Sequence, residues 1–197
     1  VSIAPSATAT LDALGVADRV VGVDIAEGQL DHARRLRDYY GVDARFLQGD
    51  VTRVPLADDA FDAAFSEAAF QLVADLDAAV REARRVLRPG GAFYLSVMHP
   101  FRELIDPKTG RVRRGYHAPP RREIEIDESY DADLVAFDRS VSELHRALAD
   151  AGFDVERIVE PEPAAGETTS EGDVAATADS RALLPDTLGF WARLDAE

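Results

Sequence analysis

The sequence predicts an α/β fold built on a mainly parallel sheet, and three observations carry that expectation. Short apolar runs that read as buried strands alternate with segments of helical periodicity along the 197-residue chain. Two of these runs lead into an acidic residue, Val20-Val21-Gly22-Val23-Asp24 and Arg45-Phe46-Leu47-Gln48-Gly49-Asp50. The helical segments stop at glycine or proline: Gly15, Arg88-Pro89-Gly90-Gly91 and Gly152.

The elements follow in order. Residues 7–15 read as the tail of a helix that Gly15 ends, and residues 19–24 as a buried strand. Residues 27–39 form a helix with Leu30, Ala33 and Leu36 on one face. A short strand, 44–48, leads into Gly49-Asp50-Val51. Pro55 and the Asp58-Asp59 pair mark a loop before the strand 61–66. Leu76, Ala79, Val80, Ala83, Val86 and Leu87 space out a helix that ends at the Arg88–Gly91 turn, and residues 92–97 are the next strand.

Residues 98–137 are a long excursion. Arg111, Arg113, Arg114, Arg121 and Arg122 precede an alternating stretch, Glu123-Ile124-Glu125-Ile126-Asp127, that reads as a half-exposed strand of a hairpin. The arginines are expected to pair with that acidic stretch. Ser140 and Glu143 make a capping box for a helix over 141–151. A strand follows at 155–159. Residues 160–182, rich in Glu, Ala, Thr, Ser, Gly and Pro, read as a mobile loop. The last strand is 188–194, in which Phe190 and Trp191 should alternate between core and surface. The length fits one domain, residues 1–197.

Composition narrows the function classes. The chain has no cysteine, which excludes disulfides, thiolate metal sites and cysteine nucleophiles, and no metal site is expected. A net charge of −15 repels nucleic acid and anionic membranes. No apolar run reaches the ~18 residues of a membrane span, and no secretory leader is visible, so a cytoplasmic location is expected. The anions are 23 Asp and 14 Glu; the cations are 21 Arg and one Lys, Lys108. This balance reads as the solvated acidic surface of a salt-adapted protein, a fold that should weaken as salt is removed. Acidic partner binding is the other reading.

The chemistry-bearing residues lie at strand ends. A strand that ends in Asp24 and runs into an amphipathic helix is the second half of a nucleotide-binding βαβ unit. A carboxylate there accepts two ribose hydroxyl hydrogens; capping of the following helix is the bland alternative. Asp50, 26 residues on, is placed to accept from an exocyclic amine, with the Val51 N–H serving a ring nitrogen. His99 follows the 92–97 strand on the same edge and is the candidate for touching a substrate, with a satisfied loop histidine as the alternative. Tyr130 is a second substrate-side candidate. His32 and His145 sit in helices as structural or solvated residues.

VVGVD, GDV, the strand FDAAFSEAAF and LRPGG stand in an order and spacing that resemble the small-molecule class I S-adenosylmethionine-dependent methyltransferases. The resemblance runs from about residue 7 to 194. It implies a Rossmann-like, doubly wound sheet with six parallel strands and one antiparallel strand, the latter at 188–194. It also implies methyl transfer from S-adenosylmethionine to a small-molecule acceptor by in-line displacement. The implied cofactor residues are Asp24 on the ribose hydroxyls, Ile25 against the adenine, Asp50 and Val51 on its edge, and Ser66 close to the methyl donor. The 98–137 excursion becomes a substrate-side insertion.

The sequence departs from the family at one place. The family's first strand and the Gly-x-Gly-x-Gly loop after it should lie roughly 20 residues before Asp24, and residues 1–14 contain no glycine. The expectation is therefore a truncated start. Two other readings stay open: a non-catalytic protein of this fold that binds a partner, and a nicotinamide-dependent oxidoreductase. The second is disfavoured because the short-chain type needs a Tyr ahead of its Lys, whereas Lys108 follows Glu103-Leu104-Ile105.

Overall fold

The computed structural model describes residues 19–106, 109–124, 134–162 and 184–196. The 7–15 helix, Lys108, residues 125–127, Tyr130 and all but the first residues of the 160–182 segment lie outside them.

The chain begins its described part with strand β1 (Val20–Asp24), helix α1 (Glu27–Tyr40) and strand β2 (Ala44–Gln48). β1 and β2 pair in parallel, Val20 opposite Ala44 and Asp24 opposite Gln48. α1 turns Leu30 and Ala33 inward and keeps charged residues outward, the stripe its 3.6-residue period dictates.

Strand β3 (Phe61–Glu67) leads through a 3-10 turn at Phe70–Leu72 into helix α2 (Leu76–Val86), whose Asp75 side chain accepts from the Ala78 N–H as an N-cap. Strand β4 (Leu87–Met98) begins where α2 ends. The sequence predicted a turn at Arg88–Gly91 and a strand only from 92; the observed strand starts five residues earlier. The pairing explains it. Phe61 faces Leu87, but Ala63 already faces Ala92, so Arg88–Gly91 bulges out of the ladder. Gly90 supplies the positive φ, 75°, that this bulge requires.

In the insertion, strands β5 (Arg121–Ile124) and β6 (Leu134–Phe137) form an antiparallel pair, and β5 takes in Glu123 and Ile124, the described part of the alternating stretch. Helix α3 (Val141–Asp150) opens on the predicted capping box, with both reciprocal bonds between Ser140 and Glu143 formed. Strand β7 (Phe153–Val159) and strand β8 (Thr187–Leu194) complete the sheet. β8 lies between β4 and β7 and is antiparallel to both, as expected of the last strand. Phe190 is buried and Trp191 is 45 % exposed, the expected alternation.

The strand order is β2-β1 in one sheet and β3-β4-β8-β7 in another. Among the described residues β1 pairs only with β2, and β3 only with β4. Arg19 bridges the two sheets at their amino ends. Its Nη2 donates to the Ala60 carbonyl at 3.1 Å, and its guanidinium lies 4.9 Å from the Phe61 ring centre. Val21 and Val23 of β1 join the core formed by β3, β4, β8, α2 and α3. Phe93 is the core's centre, 5.8 Å from the Phe70 ring and 5.5 Å from Phe153. Among the described residues no helix is long and apolar enough to cross a membrane.

Candidate functional site

The carboxyl ends of the parallel strands share one edge, the edge at which ligands bind in open α/β sheets. Two bonds lock the ends of β1 and β2 together there. The Gly49 N–H donates to the Asp24 carbonyl at 3.0 Å, and the Gln48 side-chain amide donates to the Ile25 carbonyl at 3.1 Å. Gly49 has no room for a side chain: a Cβ would stand 2.8 Å from the Pro55 ring and 3.2 Å from Val23. Close backbone approach thus brings Asp24 and Asp50 to neighbouring positions.

Asp24 is half-buried. Its Oδ1 accepts the Ala26 N–H at 2.8 Å, which shapes the entry to α1 as the capping alternative foresaw. Oδ2 has no hydrogen-bond partner among the described residues. Beside it Ile25 is 67 % exposed, an apolar side chain with nothing over it. Asp50 is exposed, and its Oδ1 accepts from the Thr52 N–H at 2.9 Å and the Thr52 hydroxyl at 2.8 Å. Those two donors hold its carboxyl below the usual carboxylate range, so it is an anion at neutral pH.

The segment after Asp50 is clamped onto α2. The Val54 N–H donates to Glu82 Oε1 at 2.7 Å, while Arg85 reaches the Val54 and Leu56 carbonyls and pairs with Glu82 and Asp58. Arg85, and then the Val54 N–H, lower the Glu82 pKa against the cost of its partial burial. Sequence reading missed this clamp. The signal was the i, i+3 spacing of Glu82 and Arg85 on the helix.

Ser66 is 2 % exposed and faces inward, so it lies behind the ligand edge rather than on it. With Val51, Val54, Ala64 and Phe93 it lines a mostly apolar cavity of about 30 Å³ between β3 and α2. Its Oγ has no hydrogen-bond partner among the described residues. The cavity thus joins two residues singled out in the sequence, Val51 and Ser66, but apart from Asp24 and Asp50.

His99 is 1 % exposed. Its Nδ1 accepts the Phe101 N–H at 3.2 Å, which leaves the proton on Nε2, and Nε2 donates to Glu160 at 2.9 Å. Both ring nitrogens are engaged, the arrangement of a satisfied loop histidine. The backbone N–H of His99 donates to the Asp186 carbonyl, and Arg102 pairs with the Asp186 carboxylate at 2.8 Å. His32 and His145 are exposed.

The arginine cluster corrects one expectation. Among the described residues, Arg121 pairs with the acidic stretch through Glu123. Arg113 and Arg122 instead converge on Glu103, and Arg114 and Arg122 on Asp138. Glu103 and Asp138 are the more sheltered acids, with side chains 10 % and 11 % exposed, and an ion pair is stronger where water is excluded.

A mainly parallel sheet with an antiparallel last strand, and carboxylates at two adjacent strand ends, defines the class: this is the α/β fold of the class I S-adenosylmethionine-dependent methyltransferases. A family model described as "Methyltransferase domain" matches residues 4–95. A solved S-adenosylmethionine-dependent methyltransferase from Mesorhizobium loti superposes with a TM-score of 0.69 at 27 % identity, covering 90 % of this chain and 81 % of that one. Among curated relatives, malonyl-[acyl-carrier protein] O-methyltransferase of Yersinia pestis is 41 % identical over 80 residues, which is 41 % of this chain and 28 % of that protein. Demethylmenaquinone methyltransferase of Thermus thermophilus is 43 % identical over 72 residues, 36 % of this chain and 33 % of that protein. The matches therefore span a third or less of the length of those relatives.

Proposed function

We propose that this chain carries out S-adenosylmethionine-dependent methyl transfer to a small-molecule acceptor. The observation that carries the reading is the pair of bonds locking Asp24 beside Gly49-Asp50 at the ligand edge. When bound, the cofactor supplies a methyl group on a cationic sulfur, an electrophile that needs alignment more than activation. The residues present fit its nucleoside end. Asp24 keeps Oδ2 for ribose hydroxyls, and Ile25 offers an uncovered apolar surface for the adenine. Asp50 is an anion able to accept from the exocyclic amine, with the Val51 N–H beside it. Ser66 backs this edge from inside the sheet. An acceptor that loses a proton needs a base, and with both nitrogens engaged His99 positions the loop rather than serving as that base.

The methionine end needs backbone N–H groups of a glycine-rich turn. None stands at a strand end among the described residues. We expect S-adenosylhomocysteine to be held only weakly, above about 10 µM. A partner-binding protein of this fold is the second reading, favoured by the lack of such a turn among the described residues.

An amide-resolved NMR titration with S-adenosylhomocysteine, in molar KCl, tests the proposal at any affinity. The expected result is shifts confined to residues 24–26 and 49–52 that disappear in Asp24→Ala. Unmoved amides at both strand ends overturn it in favour of the partner-binding reading. The same sample tests salt adaptation: its unfolding midpoint should fall as KCl is diluted from molar to about 0.1 M, where screening of the surface anions is lost.

A further inference from the structure

The stretch 50–60, between β2 and β3, opens on the two residues that face the base in the reading above, Asp50 and Val51. Its first turn is tight. The Arg53 N–H donates to the Asp50 carbonyl at 2.9 Å, and the Thr52 N–H and hydroxyl donate to Asp50 Oδ1. The Val51 N–H has no hydrogen-bond partner among the described residues. Apolar packing under the stretch is incomplete: Val51 and Val54 border, with Ser66 and Phe93, the cavity of about 30 Å³. Side chains that end at empty space lose contacts there and leave their backbone latitude to shift.

Polar bonds from one helix remove that latitude. Glu82 of α2 accepts the Val54 N–H at 2.7 Å. Arg85, one turn on, donates to the Val54 and Leu56 carbonyls at 3.2 and 2.8 Å and pairs with Asp58. The carbonyls of Arg85 and Val86 accept the Asp59 and Ala60 N–H groups at 3.0 and 2.9 Å. Glu82 and Arg85 also brace each other through two bonds, at 2.7 and 2.9 Å. Val54 is thus held by both its N–H and its carbonyl. The turn between Asp50 and Arg53 leaves little slack, so a fixed Val54 fixes Asp50 and Val51 as well.

We propose that Glu82 and Arg85 are positioning residues for base selection. They set where the Asp50 carboxylate and the Val51 N–H stand, and so decide how strictly the site takes adenine over another purine. The inference rests on the methyl-transfer reading and gives α2 a part in it. Hypoxanthine is the discriminating base. It carries a carbonyl where adenine has its exocyclic amine, and a proton on the ring nitrogen beside it. Asp50 then faces an oxygen, and the Val51 N–H faces another N–H. Both contacts turn repulsive, but only while the two protein groups are held in place.

Amide-resolved NMR titration of the full chain with S-adenosylhomocysteine and with S-inosylhomocysteine, in molar KCl, tests this through the ratio of the two dissociation constants. Partial unfolding weakens both ligands by the same factor, so a merely structural loss leaves the ratio unmoved. The unsubstituted chain should hold the adenine form about tenfold tighter or more. Glu82→Ala leaves the Val54 N–H without its acceptor, and the ratio should fall to about threefold or less while the shifts at residues 24–26 persist. Glu82→Gln, whose amide oxygen still accepts that N–H, should keep most of the ratio. Arg85→Lys keeps the charge but not the fork that spans two carbonyls; it should lower the ratio about threefold, and it decides the matter if Glu82→Ala fails to fold. A full ratio in folded Glu82→Ala, or in Arg85→Lys, overturns the inference and leaves the methyl-transfer reading standing. Equal affinities in the unsubstituted chain remove base reading by Asp50 and Val51, and the inference with it.

Discussion

Asp24 and Asp50 at the ligand edge, and Glu103 and Asp138 in the insertion, are the same chemistry put to opposite uses. The first two are bonded by donors within two residues of themselves, and each keeps an oxygen without a partner among the described residues. The second two are sheltered, and each receives two arginines from distant positions. A carboxylate held only by its own turn is positioned and still reactive toward a ligand. A carboxylate saturated by guanidinium groups is a fastening, and it pins the β5–β6 pair to the segment that follows β4.

The contrast breaks most visibly in the insertion. Asp138→Ala leaves Arg114 and Arg122 without that counter-ion in a sheltered place, and should destabilise the fold by about 2–3 kcal/mol, at or below the fully buried range because some water reaches the pair. Urea unfolding measures the loss, and hydrogen exchange should speed first in β5 and β6. No change in either would show that the network is decorative.

At the ligand edge the comparable weak point is packing. Gly49→Ala drives a methyl group into Pro55 and Val23 and should cost about 1–3 kcal/mol. Because Gly49 joins the two strand ends, the same change should weaken S-adenosylhomocysteine shifts without touching either aspartate. Ser140→Ala, which removes one half of the capping box of α3, should cost about 1 kcal/mol in the same unfolding experiment.

The pH dependence sharpens the comparison further. Arg85 holds Glu82, and Ser140 holds Glu143, below the carboxyl value of 4.5. Each group binds a proton more readily in the unfolded chain. Their stabilisation is therefore complete above about pH 4.5 and is lost as pH falls through their lower folded values. Urea midpoints between pH 5 and 3 should drop less in Glu82→Gln than in the unsubstituted chain; an identical slope would remove Glu82 from the account. The smallest effect belongs to Asp24→Asn, expected to change stability by less than about 0.5 kcal/mol while removing the ligand response.

Much of the fold was legible because it depends on neighbours in sequence. The 3.6-residue spacing of Leu76, Ala79, Val80 and Ala83 and the Ser140–Glu143 capping box declare their helices without reference to the rest of the chain. Asp24 and Asp50 were legible for the same reason, since a strand end followed by a helix or turn fixes where their side chains stand. The early start of β4 was not: proline and two glycines mark a turn locally, and the ladder with β3 drew them into a bulged strand. The arginine partners were misread because nearness in sequence stood in for nearness in space.

Local pattern was enough to set the kind of element at each position and to put acids at two strand ends, because hydrophobic period and capping act over four residues or fewer. Packing between distant segments turns Ser66 inward, spends both nitrogens of His99 on Phe101 and Glu160, and gathers the arginines on Glu103 and Asp138. Those outcomes depend on which surfaces exclude water once distant segments meet, and the free energy of a polar group is set by that exclusion more than by its neighbours in the chain.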